Sequence, residues 1–82
     1  MKAIHWTSKS IRQVKKIKSV AVRREIVEKV EALQGWPDVS SVKNLVNREG
    51  YRLRVGDWRI VFSVEGDEVV IWEVRRRNEQ TY

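Results

Sequence analysis

The sequence has no cysteine, one histidine and one proline among 82 residues. Without cysteine there is no disulfide framework and no thiolate metal site. A single histidine, His5, is too few for a histidine-based metal site, so no metal or cofactor is expected. No apolar run approaches the length of a membrane span. The first ten residues, MKAIHWTSKS, lack the apolar centre of a signal peptide. A cytoplasmic protein with no membrane partner is expected. Acids are also scarce, 11 Asp and Glu against 17 Lys and Arg, for a net charge of +6. Such an excess favours a polyanionic partner. A soluble protein that is merely basic is the plain alternative, and the placement of the charges decides between the two.

A chain of 82 residues makes a single domain, 1–82. A domain this small buries only roughly 60% of the surface its unfolded chain exposes. Its core is therefore thin, and a partner is expected to add to it. Residues 3–6, AIHW, suit a short first strand, and Thr7, Ser8 and Ser10 offer helix-capping oxygens. Ile11, Val14 and Ile17 recur every third residue between Arg12, Lys15, Lys16 and Lys18, which predicts a short amphipathic helix. Ser19 restarts the pattern. Val22, Ile26, Val30 and Leu33 mark a second helix, closed by Gly35 and Pro37. Residues 38–50 show no sustained period and read as a connecting loop anchored by Val42, Leu45 and Val46.

The remainder alternates. Gly56-Asp57 and Gly66-Asp67 are two-residue hairpin turns between three strands. The predicted order is β-α-α-β-β-β, an α+β layout with a helical hairpin on one face of an antiparallel sheet. The first turn sets Val55 opposite Trp58, Arg54 opposite Arg59, Leu53 opposite Ile60 and Tyr51 opposite Phe62. Opposed residues share a face. Tyr51, Leu53, Val55, Trp58, Ile60 and Phe62 therefore face the helices, while Arg52, Arg54 and Arg59 face away. The second turn sets Val61 opposite Trp72 and Arg59 opposite Val74. Arg76 then joins the arginines over a floor of Val61, Trp72 and Val74, and Glu73 falls on the other face. Like charges across a strand pair repel. A patch of arginines without acids thus favours phosphate, which guanidinium forks bind bidentately, over a solvated basic face. Tyr82 ends the tail RRRNEQTY. Its phenol is suited to stack on a base or donate to phosphate; an inert terminus is the alternative.

The stretch YRLRVGDWRIVFSVEGDEVVIWEVRRRNEQTY resembles the C-terminal half of RelE/ParE-superfamily toxins. These are small basic toxins of bacterial type II toxin–antitoxin modules. The likeness runs in element order along nearly the whole chain and is most specific in YRLRVGDWR. It implies a RelE-like microbial RNase fold and a ribosome-dependent endoribonuclease that cleaves mRNA in the A site. Arg52 and Arg54 stand where RelE-type members carry lysines, and Arg59 matches the arginine of their G-x-[YW]-R segment. Arg76 matches the arginine six residues before the functional tyrosine, and Tyr82 matches that tyrosine. Arg75 and Arg77 are the neighbouring alternatives to Arg76 and, with Trp72, are expected to touch RNA. Arginine at 52 or 54 does not accept a proton, which leaves His5, Glu49 and Tyr82 as candidate bases. The partners implied are the ribosome, mRNA and a cognate acidic antitoxin encoded nearby, the toxin being a monomer when free. A ParE-like gyrase inhibitor and a non-catalytic nucleic-acid-binding module are the competing readings.

Overall fold

Gly56 and Gly66 open the two hairpin turns with left-handed φ angles of 58° and 61°. A side chain makes that conformation costly, and two-residue turns commonly require it. The computed structural model of the protein describes residues 1–46 and 49–76. The turns join β3 (Tyr51–Val55), β4 (Trp58–Glu65) and β5 (Glu68–Arg76) into an antiparallel meander. β1 (Ala3–Trp6) runs parallel to β5, and β2 (Val42–Asn44) pairs antiparallel with β3. The five strands lie in the order β1-β5-β4-β3-β2. The α+β layout is the one the periodicity predicts. β2 is an addition, because it lies within the segment expected to be a loop and is too short to show a period.

α1 (Ser8–Lys15) begins at Thr7, whose Oγ1 accepts from the Ser10 amide at 3.2 Å. α2 (Val20–Glu31) begins at Ser19, whose Oγ accepts from the Val22 amide at 3.2 Å. A single 3₁₀ turn, Ala32–Gly35, follows α2. Ile17, Ile26, Val30 and Leu33 pack against Leu53, Val55, Ile60, Phe62, Val69, Ile71 and Val74 from the sheet. Hydrophobic burial on this one face holds the two layers together.

β1 stops pairing at Ile71, and side chains continue its role along the β5 edge. The Thr7 hydroxyl donates to the Ile71 carbonyl at 2.7 Å, and the Gln13 side-chain oxygen accepts from the Val74 amide at 2.6 Å. The Ile71 carbonyl also accepts from the Thr7 amide at 3.2 Å, while the Val74 amide lies past the end of β1 and is satisfied by Gln13, which ties α1 to the strand that carries much of the site. No helix among the described residues is long and apolar enough to cross a membrane.

Gly50 closes the β2–β3 connection onto the sheet. Its φ is 119°, and a Cβ there would lie 3.1 Å from the Phe62 carbonyl oxygen and 3.2 Å from Leu45 Cδ1. Gly50→Ala should therefore destabilise the fold by about 1–3 kcal/mol, read from urea unfolding. A change below about 0.5 kcal/mol, the usual range for a neutral surface substitution, would show that this loop yields freely.

Candidate nucleic-acid interface

The sheet face turned away from the helices carries an arginine row. Arg54 lies opposite Arg59 as the first hairpin turn requires, and Arg59 lies opposite Arg75. Three adjacent strands, spaced about 4.8 Å apart, thus place one guanidinium side chain each across the sheet. Arg52 faces Val61 on one side and Lys43 of β2 on the other. Ser41, Lys43, Arg52 and Arg54 line a hollow of about 330 Å³ beside the row. Sequence reasoning missed Lys43 because its three-residue strand has no readable alternation.

The third member of the row differs from the expected one, and a β-bulge is the cause. Phe62 pairs with Ile71, but Val61 pairs with Glu73, which leaves Trp72 as an extra residue between them. One inserted residue reverses the facing of every side chain beyond it. Val74, expected under the arginines, is instead opposite Ile60 and 3% exposed, inside the core. Arg76 is opposite Trp58 and leaves the row, and Arg75 takes its place. Trp72 stays on the arginine side, where its Nε1 donates to Ser63 Oγ at 2.8 Å.

The same shift corrects the expected placement of Glu73, which shares the face of Val61 rather than the opposite one. Its carboxylate bridges Lys9 Nζ and Arg75 Nε, both at 3.1 Å. One acid therefore anchors Arg75 and offsets part of the repulsion along the row. It does not reach a compensating count against Lys43, Arg52, Arg54, Arg59 and Arg75. Arg59 Nε is the one buried side-chain nitrogen or oxygen among the described residues that has no hydrogen-bond partner. Leaving such a donor unsatisfied costs about 1–3 kcal/mol. The half-buried Arg59 guanidinium at the centre of a cationic row suits an anionic oxygen.

The sequence matches the family model of the ParE toxin of type II toxin–antitoxin systems, parDE, over residues 4–81. The chain belongs to this toxin family. Solved structures of similar proteins share its fold. The archaeal RelE–RelB complex from Pyrococcus horikoshii OT3 aligns with a TM-score of 0.80 at 20% identity, covering 96% of this chain and 98% of that one. The isolated E. coli RelE toxin gives 0.79 at 15% identity, covering 99% and 88%. The chromosomal ParDE system of P. aeruginosa gives 0.65 at 23% identity, covering 93% and 96%. Comparison with curated proteins gives no match.

Within the toxin, Arg52, Arg54, Arg59, Arg75 and Trp72 come together on one face, and Arg76 does not join them. Tyr82 and Arg77 lie outside the described residues. Glu49 reaches the same face, lining a groove with Val61, Ser63 and Trp72. His5 does not approach the row. It pairs with Val70, which in turn faces Ser63, two strands over and four residues along β4 from Arg59, roughly 13 Å along the strand alone at the usual rise.

Proposed function

We propose that the toxin is an endoribonuclease that cleaves mRNA in the ribosomal A site and so stops translation in the cytoplasm. The observation that carries this reading is the Arg54–Arg59–Arg75 row across three adjacent strands. In this mechanism the RNA's own 2′-oxygen attacks the adjacent phosphorus as its proton leaves. The bond to the 5′-oxygen breaks, and that oxygen gains a proton. The products are a 2′,3′-cyclic phosphate and a 5′-hydroxyl end, and no metal is required. Negative charge grows on the non-bridging oxygens in the transition state, where fixed cations act most strongly. Arg59 and Arg75 supply that charge, with Arg54 beside them. Arg52 and Lys43 hold a neighbouring phosphate in the hollow they line. Tyr82 would stack on a base and align the 2′-hydroxyl for in-line attack. The arginines do not accept the 2′-proton, and His5 is too distant, so that task falls to Glu49 or Tyr82.

Solved relatives are seen with antitoxins, as in the RelE–RelB complex. An acidic antitoxin encoded beside this gene would neutralise the toxin by covering its basic face, its charge steering the encounter. The ParE family match supports a second reading, inhibition of gyrase without RNA cleavage. One experiment separates the two. Induction of the toxin alone should halt growth and accumulate mRNA fragments with 5′-hydroxyl ends inside coding regions, and co-expression of the neighbouring gene should prevent both. Growth arrest with intact mRNA and inhibited gyrase would replace the nuclease reading with the gyrase one.

A further inference from the structure

The bulge at Trp72 creates a feature that the phosphate chemistry uses only through Glu49, one of the two candidate bases. Leu45 and Glu49 from the β2–β3 connection, with Val61, Ser63 and Trp72, line a groove of about 270 Å³. It continues the arginine row, because Val61 is the next residue after Arg59 on that face of β4. The step is two residues, roughly 7 Å at the usual strand rise, comparable with the reach from a phosphate to the base of the same nucleotide. Trp72 is 45% exposed, a large apolar surface left open beside a cationic site.

The indole is also held in place. Its Nε1 donates to Ser63 Oγ at 2.8 Å, and the Ser63 hydroxyl donates onward to Glu65 Oε2 at 2.9 Å. With its only donor engaged, the ring offers its π-face to an occupant. Glu49 also lines the groove, and a carboxylate there repels a second phosphate and accepts from an N–H. Glu73, also at this groove, is engaged with Lys9 and Arg75. An apolar ring face, a nearby carboxylate and an adjoining phosphate row together select a base over a phosphate.

Resting on the endoribonuclease reading, we infer that Trp72 is a stacking platform for an unpaired nucleobase next to the phosphate held by Arg54, Arg59 and Arg75. Bulges frequently re-aim side chains beside functional sites, and single-stranded RNA is commonly recognised by bases stacked on aromatic side chains. The platform would fix the register of the strand over the row, with Ser63 acting as a positioning residue for the indole.

The test is binding of the full chain, at low salt, to a short single-stranded RNA blocked against cleavage by 2′-O-methyl groups. Trp72→Ala should weaken binding roughly five- to hundredfold, and Trp72→Phe should restore most of it. An RNA with one abasic position should bind the wild type less tightly but bind Trp72→Ala almost as the complete RNA does, since the two changes remove the same contact. Arg59→Ala provides the control. If Arg59→Ala loses affinity while Trp72→Ala binds as the wild type does, the stacking subsite is wrong and the nuclease reading stands. If the wild type fails to bind, or Arg59→Ala has no effect either, the stacking subsite is wrong, and the nuclease reading stands or falls on the 5′-hydroxyl mRNA ends. If Trp72→Ala impairs only the complex with the product of the neighbouring gene, the groove is a protein-docking surface and the inference is overturned.

Discussion

Arg59→Ala should lower RNA cleavage by the toxin about 10²–10³-fold, the usual loss on deleting one preorganised donor to a transition-state oxyanion. Arg59 is the middle cation of the row, flanked by Arg54 on one strand and Arg75 on the other. Its Nε is buried without a partner, so its desolvation cost is already met before RNA arrives, as preorganised catalysis requires. The substitution also removes two like-charge cross-strand pairs, each destabilising by roughly 0.2–1 kcal/mol. Loss of activity should therefore come with unchanged or increased stability. Single-turnover cleavage on programmed ribosomes and urea unfolding of the same preparation separate the two quantities. The bulge adds an order to the series: Arg75→Ala should cost more activity than Arg76→Ala, because Arg75 lies in the row and Arg76 lies opposite Trp58. Full toxicity of Arg59→Ala, or the reverse order at 75 and 76, would remove the row from the mechanism.

Phe62→Ala should destabilise the fold by about 3–5 kcal/mol, the usual range for a buried phenylalanine. Phe62 is fully buried. Its ring stacks on Tyr51 at 5.5 Å between centroids and meets Trp36 edge-on at 5.6 Å. A domain of this length is stable by only roughly 4–12 kcal/mol, so the variant should have little folded reserve. Urea unfolding measures the loss directly. An antitoxin that binds only the folded chain should restore part of the apparent stability by mass action. A cost below about 1 kcal/mol would mean that neighbouring side chains collapse into the space, against the close packing seen around this ring.

How much of this protein is legible in its sequence depends on the range of the interaction involved. Local patterns are reliable here. The apolar spacing of Val22, Ile26 and Val30 places α2 and its buried face, and Ser19, where the pattern restarts, caps that helix. The Gly56-Asp57 turn determines the β3–β4 register through short-range geometry, so Arg54 opposite Arg59 follows from sequence alone. The family likeness, concentrated in YRLRVGDWR, also needs no coordinates.

Tertiary packing decided the rest. In VVIWEV, residues 69–74, both strand faces are largely apolar, so alternation alone does not reveal an inserted residue. Val69, Ile71 and Val74 are all in the core. Two of these lie an odd number of residues apart, which an unbroken strand cannot bury on one face, and the bulge at Trp72 resolves the conflict. That long-range fit sends Arg75 to the row, brings Glu73 beside it and opens the Trp72 groove. Lys43 likewise became part of the basic face only through pairing of its short strand with β3. Sequence by itself determined the family, the layers and two of the three arginines in the row. The third arginine and its anchoring acid were set by the core, because burying Val74 yields more free energy than keeping the ladder regular.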